Sequence, residues 1–267
     1  MSQPKVIILR TAGTNCDIET AFAFEKAGAS AERVHINELA RREKDLSQYQ
    51  ILAIPGGFSY GDDIASGKIL ANELKFKIEE RLQRFIRDGK LIIGICNGFQ
   101  ILVKSGLLPN ISGDFQTIES TLTINDSDKF EDRWVYLKKA RHGSKSVKCV
   151  WTQGVDDTME LPVAHGEGKF IPKDARVLRR LKEDGLIVLE YVDENGRRAG
   201  YPYCPNGSVE NIAGICDPTG RIFGLMPHPE RHIDRYQHPC WTRKKSKDAG
   251  DGFKIFENGV KFAKKYL

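Results

Sequence analysis

The sequence predicts an α/β fold: a central, mostly parallel sheet with helices on both faces, joined by extra antiparallel strands in the second half. Three observations carry this. Short, mostly apolar runs at Lys5 to Leu9, Ile51 to Pro55 and Leu91 to Cys96 read as buried strands, the last of them fully apolar. Segments with helical apolar spacing follow them and stop at glycines. The later runs are strand-like and broken by turn signals at Asn195-Gly196, Asn206-Gly207 and Pro218-Thr219-Gly220.

In chain order, "KVIIL" is the first strand, and Asp17 is expected to N-cap a helix ending before Gly28. "ILAIP" is the next strand and runs into the glycine-rich "GGFSYGDD". Between Ile69 and Asp88, residues Leu70, Leu74, Ile78, Leu82, Phe85 and Ile86 fall on one helical stripe, with Gly89 as the stop. "LIIGIC" and a helix carrying Phe99 and Leu102 follow. Alternation of this kind implies right-handed βαβ units, whose ligands bind at the carboxyl ends of the strands. The loops Arg10 to Asp17, Gly56 to Asp63 and Gly94 to Gly98 then share one edge. Downstream, "RWVYLKK", "SVKCVW", "ELPVAHGEGKF", "LIVLEYV", "NIAGICD" and "IFGLMPH" read as strands.

No repeat, linker or low-complexity tract divides residues 1–267, so a single domain is expected. The 41 Lys+Arg and 36 Asp+Glu are interleaved, which reads as a solvated surface and not a nucleic-acid footprint. "TRKKSKDAGDG" (242–252) is the most loop-like stretch, a solvated basic loop. No apolar run approaches the roughly 18 residues of a membrane span, and the first residues lack a signal-peptide pattern, so no membrane contact and a cytoplasmic location are expected. The six cysteines are scattered without a CxxC pair, so neither a metal site nor a disulfide framework is expected. Cys16 is taken as structural.

The chemistry centres on Gly94-Ile95-Cys96-Asn97-Gly98. A tight strand-to-helix turn lifts a side chain out of the sheet edge, as GxSxG does for serine, and small flanking residues let it close. At the helix N-terminus the thiol meets unpaired N–H groups and the positive dipole end, which favour thiolate. Cys96 is therefore the candidate nucleophile. Its base is expected to be His228 in "GLMPHPERH", with Glu230 two residues on pointing the same way along a proline-stiffened, extended segment. His232 is the weaker rival. The N–H of Asn97 and backbone N–H groups of Gly57 or Phe58 are the candidate oxyanion donors. "GDDIASGKI" has the outline of a Walker A loop but fails it, because Ile69 replaces the Ser/Thr and the glycines are one residue too far apart.

Together, "GICNGFQ", "PGGFSYGDD" and "PHPER" resemble the class I (triad) glutamine amidotransferases. "RTAGTNCD", "RWVYL", "PVAHGEG" and "PNGSVENIAGICD" are similar to one branch of them, the glutaminase subunits of phosphoribosylformylglycinamidine synthase. The resemblance runs over nearly the whole chain. It implies a flavodoxin-like class I amidotransferase fold that hydrolyses glutamine to glutamate and ammonia through a cysteinyl thioester, with Cys96, His228 and Glu230 as the triad. It further implies glutamine contacts by Gln100 and by backbone around His165 and Gly166. No cofactor is implied on this chain. ATP and Mg²⁺ are implied on a separate synthetase subunit that receives the ammonia, with a small third subunit bridging the two. Two readings stay open beside it: a glutaminase subunit for another acceptor, and a free-standing cysteine hydrolase. The first loop departs from the family in Thr11 and Ala12, where an aromatic and a proline are more usual. Extra length near 138–159 and 236–250 is expected at the surface.

Overall fold

Val6 to Leu9 are buried on both sides of β1 (Lys5–Arg10), as are all residues of β3 (Ile51–Ile54) and β4 (Leu91–Ile95). Such strands need a cover on each face, and the chain supplies it by alternation. The computed structural model describes residues 3–141, 149–243 and 249–267. After β1 come α1 (Asp17–Lys26), β2 (Ser30–His35) and α2 (Ile36–Ala40). After β3 comes α3 (Lys68–Arg87), and after β4 comes α4 (Asn97–Lys104). The second half contributes β5 (Ser120–Thr123), β6 (Glu131–Lys139), β7 (Thr158–His165), β8 (Lys169–Pro172), α5 (Ala175–Glu183), β9 (Ile187–Val192), β10 (Ile212–Cys216), β11 (Ile222–Leu225) and α6 (Phe253–Tyr266).

Among the described residues, nine strands form one sheet in the order β2-β1-β3-β4-β11-β10-β9-β6-β7, and β5 pairs with β8 in a separate antiparallel pair. The first five are mutually parallel, and β10, β9, β6 and β7 continue antiparallel. The chain moves outward from β1 to β2, then returns past β1 to β3 and continues the same way to β4. Right-handed crossovers therefore send α1 to one face and α3 to the other, and open a crevice at the carboxyl ends of β1 and β3. Phe24 of α1 meets Phe256 of α6 edge-on at 5.0 Å on the first face. On α3 the buried stripe is Leu70, Leu74, Ile78, Leu82 and Phe85, and the helix stops at Gly89, whose φ of 78° only glycine adopts freely.

Several expectations need correction. Asp17 is the first helical residue and not the N-cap, which is Cys16. The Asp17 carboxylate instead faces Arg33 Nη1 at 3.2 Å and Arg10 Nε at 3.7 Å. In "SVKCVW", residues 146–148 lie outside the described residues, and Val150–Thr152 is a 3₁₀ turn and not a strand. Its apolar character serves the core: Trp151 is fully buried, packs on Phe24, and donates its indole N–H to Arg221 O at 2.9 Å. The segment near 138–159 is therefore not all surface, although 142–148 lie outside the described residues. Near 236–250, Tyr236 is exposed but His238 is buried, and residues 244–248 lie outside the described residues. "ELPVAHGEGKF" is two strands, because the chain turns at Gly166 to Gly168 and β8 leaves the large sheet for β5.

Candidate active site

The sequence from Leu91 to Lys104 folds as the expected elbow. Cys96 sits between β4 and α4 at φ 52° and ψ −106°, a conformation costly for a non-glycine residue. Its N–H is held by Leu225 O at 2.8 Å, from the neighbouring parallel strand. Both flanking glycines are needed for closeness. A β-carbon on Gly94 would stand 2.5 Å from Gly98 O, and one on Gly98 would stand 1.8 Å from Ile54 O.

His228 follows β11, and its N–H donates to Pro162 O at 2.8 Å. Its Nδ1 lies 2.6 Å from Glu230 Oε1, with the histidine 2% exposed and the glutamate 0%. The pair meets across a 3₁₀ turn at Pro229–Arg231, not along the extended segment expected. His228 caps this turn and is itself still extended, at φ −102° and ψ 90°, as expected. Only from Pro229 on does the chain turn, with the proline's fixed φ suited to the first position, and Glu230 bonds back to the capping residue from inside it. Burial alone pushes the imidazole pKa down. The Glu230 carboxylate, then Cys96 and Cys16, pull it up, and the net result is well above an ordinary histidine. Cys96, His228 and Glu230 thus come together. His232 does not: its Nδ1 turns to Glu160 O at 2.7 Å, and its ring meets Trp134 edge-on.

Of the candidate oxyanion donors, Phe58 N–H is already spent on Gly13 O at 2.9 Å, because the turn after β3 bridges to the first loop. Gly57 N–H makes no such bond among the described residues, and a β-carbon on Gly57 would stand 2.7 Å from Asn15 N. Asn97, the first residue of α4, has an N–H with no partner within the helix. The Phe58 ring, 44% exposed, stacks on Phe130, 52% exposed, with centroids 6.2 Å apart. Phe130 also lies beside Gly166.

Cys16 is not the isolated packing thiol expected. The β1–α1 loop crosses the crevice and lays Cys16 against His228, with Arg231 Nη2 donating to its sulfur at 3.2 Å. Burial pushes the Cys16 pKa up, and the His228 hydrogen bond opposes that shift.

Residues 3–263 match the family model described as the CobB/CobQ-like glutamine amidotransferase domain. The chain belongs to this family. It is 51% identical to phosphoribosylformylglycinamidine synthase subunit PurQ of Dehalococcoides mccartyi, over 99% of each chain. With the subunit of the same name from Methanococcus maripaludis it shares 44% identity over 98% of each. A solved structure of PurLQS from Thermotoga maritima matches with a TM-score of 0.72 and 30% identity, covering 98% of this chain and 99% of that one.

In this amidotransferase, the expected glutamine contacts are already engaged with protein groups. Gln100 Nε2 donates to Glu167 O at 2.6 Å, and its Oε1 accepts from Asn97 Nδ2 at 2.9 Å. The carbonyls of His165 and Gly166 accept from Asn125 Nδ2 and Asn125 N, at 2.8 and 2.9 Å. Asn125 Oδ1 also faces His165 Nδ1 at 3.1 Å and accepts from Gly168 N at 2.9 Å. Burial, with His228 nearby, pushes the His165 pKa down to about 3, so that ring is neutral. Asn125 and Phe130 carried no motif in the sequence. Lys104, Glu167, Ser66 and Asp62 extend the network behind α4: Lys104 Nζ donates to Ser66 O at 2.6 Å, and Asp62 Oδ1 accepts from Asn97 Nδ2 at 3.2 Å.

Proposed function

We propose that this chain is the glutaminase subunit of a phosphoribosylformylglycinamidine synthase, and that Cys96, His228 and Glu230 hydrolyse glutamine. The observation that carries the chemistry is the strained Cys96 elbow facing an imidazole held at 2.6 Å by a fully buried carboxylate. The relatives' full-length match carries the choice of acceptor.

The Cys96 sulfur, as thiolate, attacks the side-chain carboxamide carbon of glutamine. The oxyanion is held by the N–H groups of Asn97 and Gly57, and removing one such donor typically costs about 10²–10³ in rate. Protonated His228 gives its proton to the departing nitrogen, which leaves as ammonia while a glutamyl thioester forms on Cys96. The neutral ring then takes a proton from water, which attacks the thioester, and glutamate and the thiolate are released. Glu230 keeps the ring oriented and stabilises its charged form. Asn125 occupies the carbonyls of His165 and Gly166, so their role toward glutamine's α-groups requires Asn125 to move or their N–H groups to act.

Ammonia in water is mostly protonated and loses its nucleophilicity, so it is passed directly to the synthetase subunit, where ATP and Mg²⁺ act, with a small third subunit bridging the two. No helix among the described residues is long and apolar enough to cross a membrane, in keeping with work in the cytoplasm. The test is ammonia release from glutamine by the chain alone and then with the synthetase, its substrate and ATP. Stimulation by the complete system supports the reading, and glutamine hydrolysis by a Cys96→Ala variant would overturn it.

A further inference from the structure

A second thiol shares the imidazole. Cys16 Sγ, a ring nitrogen of His228 and a carboxylate oxygen of Glu230 all lie within 4.8 Å of one another, each on a buried residue. They come from opposite ends of the chain and meet across the crevice between β1 and β3. Gly56 makes the room, since a β-carbon there would stand 2.7 Å from His228 Cε1 and 3.1 Å from Cys16 Sγ.

Two features separate this cluster from ordinary packing. Glu230 Oε2 is fully buried and accepts no hydrogen bond among the described residues, although an unsatisfied carboxylate oxygen in the interior is costly. The proposed reaction uses only Oε1. The Cys16 sulfur is also in polar company: it donates to Asn15 Oδ1 at 3.1 Å and accepts from Arg231 Nη2 at 3.2 Å. Burial keeps the Cys16 pKa above the ordinary thiol value, outweighing the imidazole and the guanidinium that pull it down, so the sulfur gives up its proton as the metal binds. One thiolate, one imidazole and one carboxylate make a donor set suited to a borderline-soft, tetrahedral dication and poorly suited to Mg²⁺ or Ca²⁺.

We propose that Cys16, His228 and Glu230 form a site for a zinc-class divalent cation that switches the glutaminase off. The cation takes Cys16 Sγ, His228 Nδ1 and the Glu230 carboxylate, and a water completes the tetrahedron. The Cys16 thiol and the His228 imidazolium each release one proton to solvent, so the dication meets one thiolate, one carboxylate and a neutral ring. Arg231 must leave the sulfur, and its Nη2 already has a second partner in Glu19 Oε1 at 3.4 Å. With the metal on Nδ1 and a proton on Nε2, the ring has no lone pair to accept a proton from water. It is also a far weaker acid toward ammonia than the imidazolium. The loss of activity rests on the glutaminase reading above, whereas the binding does not.

Cobalt(II) is the probe for binding, because thiolate ligation gives it a charge-transfer band in the near ultraviolet. The full-length chain and its Cys96→Ser variant should show the band, saturating at one equivalent with release of up to two protons. Cys16→Ser and Cys16→Ala should both lack it. Zinc should inhibit glutamine hydrolysis by the wild type, and Cys16→Ser should need at least about tenfold more zinc, each protein being normalised to its own metal-free rate. No band in the wild type, a band retained by both Cys16 variants, or a band lost in Cys96→Ser would each overturn the site. Failure of the glutaminase reading would appear separately, as metal-free hydrolysis by Cys96→Ser.

Discussion

Gly98 of α4 lies so close to β3 that an added β-carbon would stand 1.8 Å from the carbonyl oxygen of Ile54. The obstacle is backbone and cannot rotate away, so Gly98→Ala must push α4 outward and carry Cys96 with it. Overpacking of this kind costs on the order of 1–3 kcal/mol. Gly98→Ala should lower the denaturant midpoint by a corresponding amount and remove most glutamine hydrolysis. Unchanged activity in the folded variant would mean that the elbow does not set the position of Cys96.

His228 gives a pH-dependent contribution with a definite sign. Its pKa in the folded chain is raised well above the ordinary value, with Glu230 the principal group pulling it up against burial. The contribution is fully present below about pH 6.5, where the unfolded chain also binds the proton, and is lost as pH rises through the folded value. Glu230→Gln should therefore destabilise most near about pH 6 and progressively less toward alkaline pH. It should also slow glutamine hydrolysis on the order of a hundredfold, because the ring loses its orienter. Unfolding curves of both proteins across that range check the sign.

His165 contributes with the opposite sign. Buried and held near 3, it stays neutral while the unfolded chain takes up a proton near about pH 6.5. Its contribution is present above that pH and is lost as pH falls toward 3, at up to about 1.4 kcal/mol per pH unit. His165→Gln keeps a donor for Asn125 Oδ1 but does not titrate. Its stability should fall less steeply than the wild type's between about pH 6 and pH 4, and equal slopes would show that the ring is not held neutral.

What could be read from the sequence follows from the range of the interaction. β1, β3 and β4 were legible because strands buried on both faces are apolar throughout, and the elbow because its signals are contiguous. His228 and Glu230 were legible as a pair for the same reason, although their turn was not. β2 leaves little trace in the sequence because it is an edge strand of the sheet, with Val34 its only fully buried residue. α6 carries its own signal, since Ile255, Phe256, Val260 and Ala263 follow helical spacing, whereas the apolar run ending at Trp151 has no local feature that separates a buried 3₁₀ turn from a strand. Asn125 on His165, and Cys16 on His228, are contacts that only the topology creates.

Asp62 belongs to "GDDIASGKI", the stretch that fails as a phosphate loop, and the structure gives that stretch a different use. Tyr60 and Asp62 hold φ of 55° and 56°, so two non-glycine residues carry strain within three positions. The strain directs the Asp62 carboxylate inward, where Oδ2 accepts from Ser66 Oγ at 2.9 Å and Oδ1 from Gly67 N at 3.3 Å and Asn97 Nδ2 at 3.2 Å. Burial pushes the Asp62 pKa up, and those bonds oppose the shift. Asp62 touches no reacting atom; it orients Asn97, whose N–H is a proposed oxyanion donor. Asp62→Ala should therefore lower kcat on the order of tenfold with a smaller change in KM, as expected when a transition-state interaction is weakened. Asp62→Asn keeps an oxygen for Asn97 Nδ2 and should recover part of the loss. A loss confined to KM, or no recovery in the Asn variant, would show that Asp62 supports the loop alone and does not position the oxyanion donor.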